Sequence, residues 1–179
     1  MLPMIVAAAL LALPPLTFAQ SPGVLQGSDV TEAALVDALA PPPEPPRTRG
    51  IKPGAAVPAP SKPAKAALLI TFQTNSTTLT PEAKRELDVV GRALNTKRLV
   101  DYIFAIEGHA DPRGSPEANL RLSQGRADAV RHYLVSVQNV REDRLKAIGK
   151  GDREPLDPAN PAAPENRRIT FVNTFQTLQ

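Results

Sequence analysis

The spacing of apolar residues changes along this chain, and the changes mark its elements. Leu68, Ile70 and Phe72 alternate with other residues in the two-residue rhythm of a half-buried strand. Thr80-Pro81 then opens a stretch in which Leu87, Val90, Ala93 and Leu94 recur at three or four positions; a threonine cap with proline in the first turn predicts a helix with one apolar stripe. Tyr102 to Ile106 reads as a second strand. Ser115-Pro116 repeats the helix-opening signature ahead of Leu120, Ala127, Val130, Leu134 and Val137. Leu145 to Ile148 predicts a third strand, a Pro/Asn/Asp-rich loop spans Asp152 to Glu165, and Ile169, Phe171 and Val172 form a closing strand. Strands alternating with helices imply a sheet with crossover helices. Upstream, Asp29 stands three residues before Glu32, as in a capping box, and Val30, Ala34, Leu35 and Leu39 give a partial apolar face. A helix within residues 29–40 is too short to persist alone in water, so this stretch reads as a partly helical tail, available to dock on a partner or on the domain.

Composition divides the chain further. Residues 1–19 read as a secretory signal peptide: an apolar run from Met4 to Leu13 ends at Pro14-Pro15, and Thr17-Phe18-Ala19 offers small residues before a cut. The run is too short to span a bilayer, which takes about 20 apolar residues. Residues 20–40 form the tail with its short helix. Residues 41–65 form a linker with nine prolines between Pro41 and Ala64. In extended polyproline geometry that stretch reaches about 74 Å, a spacer suited to ends that visit different places. Residues 66–175 hold the folded domain.

Charge narrows the chemistry. The net charge of +3, with acids and bases interspersed, argues poorly for nucleic acid, and aromatics at 4% make a base-stacking platform unsuited to this chain. Without cysteine there is neither a disulfide nor an acylated lipoprotein anchor, and a Cys/His zinc site is ruled out. His109 with Asp111 is the one pairing that can touch a metal, and a loop histidine bonded to nearby backbone explains His109 as well. No nucleophile elbow or phosphate-cradling loop occurs, and Glu142-Asp143 beside a turn reads as solvated charge. No enzyme and no cofactor are expected.

The charged loop between the second strand and the next helix is the candidate site. A loop running into a helix N-terminus presents backbone N–H groups without intrahelical partners, a seat for a carboxylate or phosphate. Asp111 would attract an ammonium, and Arg126 offers a planar fork of donors to a carboxylate. Together they suit a zwitterion. The plainer reading keeps Asp111 bonded to its own turn and Arg126 along a solvated helix face. On an unbroken helix Arg126 lies about 15 Å along the axis from Pro116. The loop must therefore fold back over the first turns, or Ser123 must cap a second helical segment.

The string Gly108-His109-Ala110-Asp111-Pro112-Arg113-Gly114, then Asn119, Leu122-Ser123, Arg126-Ala127, Val130 and Tyr133-Leu134, resembles the signature of the OmpA-like peptidoglycan-binding domain. The resemblance continues through Leu145, Gly149, Gly151, Pro155 and Asn166-Arg167-Arg168-Ile169. It implies an α+β fold, a two-layer βαβαββ sandwich with a mixed sheet and its helices packed on one face. It also implies a non-catalytic periplasmic module, associated with the cell wall and outer membrane, that holds the diaminopimelate of the peptidoglycan stem peptide. Carried onto this chain, the ligand residues are Asp111 for the ammonium and Arg126 for the carboxylate. Asn119, Gly114, His109 and Arg168 complete the expected binding set, with Arg167 and Arg168 near the groove. Three positions depart from the family pattern: Ala110, Ala118 and Gly125. These motivate an alternative, an envelope assembly adapter that keeps the fold but binds protein partners, with residues 29–40 as the docking segment.

Overall fold

The computed structural model describes residues 24–41, 64–73 and 76–177. The signal-peptide reading of residues 1–19 and nearly all of the proline-rich linker lie outside the described residues. Seven elements follow in order: α1 (Glu32–Leu39), β1 (Lys65–Leu68), α2 (Pro81–Leu94), β2 (Tyr102–His109), α3 (Pro116–Ser136), β3 (Leu145–Gly151) and β4 (Ile169–Thr177). The strands form one sheet in the order β1-β4-β2-β3. Only β2 and β3 pair in parallel; β4 runs antiparallel to both β1 and β2. From β1 onward this is the mixed-sheet βαβαββ sandwich.

Alternation along the strands sets the two faces. Phe104 and Ile106 of β2, Ile169 and Phe171 of β4, Ala66 and Leu68 of β1 and Leu145 of β3 point into one core. There they meet Leu87, Val90 and Leu94 of α2 and Ala127, Val130 and Leu134 of α3. Glu107, His109 and Thr170 take the intervening positions and lie on the face away from the helices. The predicted stripes of α2 and α3 are the buried ones except at Leu120, which is half-buried, and at Val137, which is 52% exposed because α3 ends at Ser136. The first strand begins and ends earlier than the alternation suggested, at Lys65–Leu68, since its partner residues on β4 run only from Val172 to Ile169. Ile70 remains buried beyond it, and Phe72 bridges to Leu79. Both α2 and α3 start as expected, with Thr80 and Ser115 accepting from the N–H groups of Ala83 and Ala118.

Residues 25–40 are part of the body, contrary to the reading of this stretch as a tail. Thr31 caps α1 by accepting from the Ala34 N–H, a role assigned above to Asp29, which instead sits in a short 3-10 turn. Leu35 and Leu39 are fully buried, and Val30 and Val36 nearly so, within the same core as α2 and the sheet. Burying a leucine contributes about 1.5–3 kcal/mol, so these side chains supply what an isolated eight-residue helix lacks. Leu25 adds a short parallel bridge to Leu68, covering the outer edge of β1.

The described residues on either side of the proline-rich stretch come together. The Asn173 side chain donates to the Leu39 carbonyl, while the Asn173 N–H donates to the Ala64 carbonyl, both at 2.9 Å. The two ends of residues 41–65 therefore meet at one buried asparagine of β4. The described residues that flank it on either side thus belong to one body.

Arg144 closes the lower end of the core. Its guanidinium is buried and donates to the carbonyls of Leu94, Leu99 and Tyr102, capping the C-terminal end of α2 and the turn after it. It also lies over the Phe104 ring, 5.7 Å from the centroid. The outer edge of β3 is covered by α3. Gln124 accepts from the Gly149 N–H and donates to the Ala147 carbonyl, Arg131 donates to Leu145, and Ser123 accepts from Gly151. These side chains occupy backbone groups that an added strand would need.

Candidate functional site

Two glycines decide where α3 crosses the sheet. A Cβ on Gly108 would lie 2.2 Å from the Ser123 carbonyl oxygen, and one on Gly149 would lie 2.7 Å from the Gln124 nitrogen. Because both positions lack a side chain, the backbone of α3 settles directly onto the ends of β2 and β3. The helix is unbroken from Pro116 to Ser136, and Ser123 donates to the Leu120 carbonyl within it. The distance from Pro116 to Arg126 is thus spanned by a loop that runs past the strand end and lets the first turns of α3 come back alongside it. Gly114, at φ +101°, permits the reversal just before the Ser115 cap.

The result is a cleft of about 610 Å³ that contains both Asp111 and Arg126. Phe72, Gln73, Ala110, Arg113, Gly114, Ala118, Asn119, Leu122 and Arg167 complete its lining. The Asp111 side chain is only 7% exposed. One oxygen accepts from the Arg113 N–H at 3.1 Å, while the other accepts from the Arg113 side chain and from Arg167 Nη1 at 2.8 Å. The bonds from Arg113, reinforced by Arg167, hold the Asp111 carboxyl far below the usual carboxylate range even though burial opposes the charge. Asp111 is therefore an anion at any physiological pH.

Arg126 is held differently. Its guanidinium stacks over the Phe72 ring at 4.9 Å, and Nε donates to the Ser76 carbonyl at 3.3 Å. Burial lowers its pKa, repulsion from Arg167 adds to the effect, and Asp111 opposes it. Gly125 has a structural reason here: a Cβ on it would lie 2.8 Å from Thr77 Cγ2, so its bare backbone admits the loop that supplies Ser76. This departure from the family pattern is where the Arg126 support packs.

Asn119 and Gly114 also line the cleft. The Asn119 amide donates to Asp152 at 3.1 Å, tying α3 to the loop after β3. His109 and Arg168 do not line it. His109 ends β2 on the face away from the helices, 3% exposed, with neither ring nitrogen hydrogen-bonded; Glu107 Oε2 is 3.9 Å from Nε2. Burial first, and then the Arg168 guanidinium, hold its pKa down to about 4. Arg168 is buried on the same side and donates to the Glu154 carbonyl. One residue earlier, the chain directs Arg167 into the cleft. The sequence reading placed Arg168 in the binding set ahead of Arg167, and alternation reverses that choice.

Asn166 fixes this register. It is fully buried and uses its whole amide, accepting from the N–H groups of Leu156 and Asp157 and donating to the carbonyls of Asn160 and Pro161. The long loop is thereby gathered onto the residue preceding Arg167. Sequence reasoning missed this function, and missed Arg113 as a partner of Asp111. The signals were the asparagine ending a Pro/Asn/Asp-rich loop, and an arginine two residues beyond an aspartate in a tight turn. Among the described residues, no group of three or more His, Asp or Glu side chains is placed to hold a metal ion.

A mixed four-stranded sheet with its helices on one face, and an acid and a base brought together where the second crossover helix begins, defines a recognisable class of α+β domain. The chain belongs to the OmpA family, whose model matches residues 71–168. A peptidoglycan-associated lipoprotein of Agrobacterium fabrum is 36% identical over 105 residues, covering 58% of each chain. Outer membrane protein A of Yersinia pseudotuberculosis is 38% identical over 87 residues, covering 49% of this chain and 24% of that protein. Among solved structures, a putative MotB-like protein from Desulfovibrio vulgaris matches with a TM-score of 0.53 and 25% identity, over 64% of this chain and 75% of the other. The present chain thus spans only part of the length of these curated relatives. Among the described residues, no helix is long and apolar enough to cross a membrane.

Proposed function

We propose that this protein is a non-catalytic peptidoglycan-binding module of the cell envelope, working in the periplasm, where it tethers the envelope to the wall. In this reading the ligand is the diaminopimelate of the stem peptide. Asp111 takes the free ammonium, Arg126 takes the carboxylate beside it, and Gly114 and Asn119 shape the cleft between them. The observation that carries it is the placement of Asp111 and Arg126 in one cleft of about 610 Å³, a buried carboxylate and a stacked guanidinium of the opposite charges a zwitterion requires. The name of the Agrobacterium relative, a peptidoglycan-associated lipoprotein, supports the same ligand class.

The test is co-sedimentation with purified sacculi. Wild-type protein is expected in the pellet. Asp111→Asn and Arg126→Gln are expected in the supernatant, because removing one partner of a desolvated charge pair costs about 2–5 kcal/mol. Failure of the wild type to sediment would overturn the reading. The adapter alternative rested partly on residues 29–40 as a docking segment. The apolar face of α1 is occupied by the core, so a protein partner using that face would first have to displace it.

A further inference from the structure

The ionic groups lining the cleft are unbalanced. Asp111 brings one negative charge; Arg113, Arg126 and Arg167 bring three positive ones. A ligand with one ammonium and one carboxylate would leave that excess untouched. Its ammonium would also reach an Asp111 carboxylate whose oxygens are already bonded to two guanidinium groups.

The two guanidiniums differ in exposure and in how they hold Asp111, Arg113 through two nitrogens and Arg167 through one. Arg167 follows the loop gathered by Asn166 and is 37% exposed. Arg113 sits in the loop itself with its side chain 66% exposed, and for both arginines Asp111 is the one side-chain hydrogen-bonding partner among the described residues. The Arg113 backbone N–H, by contrast, holds the other carboxylate oxygen, so the side chain can swing away while Asp111 keeps its orientation. Releasing Arg113 into water without compensation would cost the ion pair. Releasing it onto a second ligand carboxylate replaces one charge-assisted bond with another.

We propose that Arg113 is the specificity-determining residue of the cleft. It occupies Asp111 in the free protein and moves to a second carboxylate of the ligand when the ligand's ammonium takes its place. The preferred ligand therefore carries one ammonium and at least two carboxylates. This rests on the proposed function, in which the first carboxylate belongs to the diaminopimelate centre that Arg126 holds. The second then lies on the adjoining peptide, at the α-carboxylate of the preceding D-glutamate.

Two synthetic peptides separate the possibilities: N-acetyl-L-alanyl-γ-D-glutamyl-diaminopimelate with the diaminopimelate backbone carboxylate capped as its amide, and the same capped peptide with the D-glutamate α-carboxylate also converted to the amide. Titration calorimetry on the full chain should show the second peptide binding the wild type about tenfold more weakly. Arg113→Gln should bind both peptides with the same affinity, with its melting temperature showing that it folds. Equal wild-type affinity for the two peptides overturns the role of Arg113 and leaves the proposed function standing. Persistence of the tenfold preference in Arg113→Gln likewise assigns the second carboxylate to another residue and overturns it. Wild-type protein that binds neither peptide overturns the proposed function and this inference together.

Discussion

Ser123 lies on Gly108 so closely that a single added carbon would collide with its carbonyl oxygen at 2.2 Å. That contact sets the height of α3 above the sheet and, one turn later, the position of Arg126 relative to Asp111.

Gly108→Ala is therefore expected to lose stability and binding together. The obstacle is backbone, which cannot turn aside as a side chain can, and overpacking of this kind typically costs about 1–3 kcal/mol. Urea denaturation should show a lower midpoint, and sacculus co-sedimentation should fall at temperatures where the variant is still folded. Retained stability with retained binding would mean that α3 shifts without consequence for the cleft.

Leu35→Ala distinguishes a docked helix from a tail. A solvated tail would tolerate the change within about 0.5 kcal/mol. A leucine fully buried against α2 and β1 should cost about 2–5 kcal/mol when truncated. Thermal melting followed by circular dichroism reads the difference directly.

Arg144→Met removes the donor group shared by Leu94, Leu99 and Tyr102. Three carbonyls at the base of the core then lose a charged partner, and a destabilisation of about 3 kcal/mol is expected. Arg144→Lys should recover only part of it, since an ammonium cannot reproduce the planar fork. Full recovery by lysine in chemical denaturation would contradict this account of the cap.

Acid should weaken the fold in two separate windows. His109 faces Arg168, Lys150 and Lys65 as well as Glu107 and Glu154, and its pKa falls from 6.5 unfolded to about 4 folded. The unfolded chain binds the extra proton between those values. Stability is therefore full above about pH 6.5 and declines as pH falls towards 4, by roughly 3 kcal/mol at 1.36 kcal/mol per pKa unit. Asp111 acts lower down. Its folded pKa lies below the unfolded value of 3.8, so its contribution persists above that value and is lost as pH drops beneath it. Unfolding free energies measured from pH 7.5 to 3 should slope in the first window for the wild type and be flatter there for His109→Phe. An unchanged slope in that variant would remove His109 as the cause.

Much of this arrangement was legible in the residues. The caps at Thr80 and Ser115, the apolar stripes of α2 and α3 and the strand around Ile106 follow from local chemistry, where a hydroxyl, a proline or a repeated period announces itself. The proximity of Asp111 and Arg126 was a matter of long-range geometry, decided by two glycines forty-one positions apart that each admit the same helix. Arg167 and Arg168 were indistinguishable as a pair of bases; only the register set by Asn166 separates the one in the cleft from the one beneath the sheet. The segment at 29–40 was misjudged for a related reason. That its helix is too short to persist alone says nothing of a core surface that exists only after β1, α2 and β4 have assembled.

The meeting of Leu39 and Ala64 at Asn173 has a consequence for handling the protein. Because Leu35 and Leu39 are buried in the core and Leu39 receives the asparagine amide, a chain cleaved once between Pro41 and Ala64 is expected to keep its shorter piece seated on the longer. Such a nick would go unseen in size-exclusion chromatography and appear only in a denaturing gel. The same stretch is therefore a place where a reporter domain can be spliced in while both flanks stay seated.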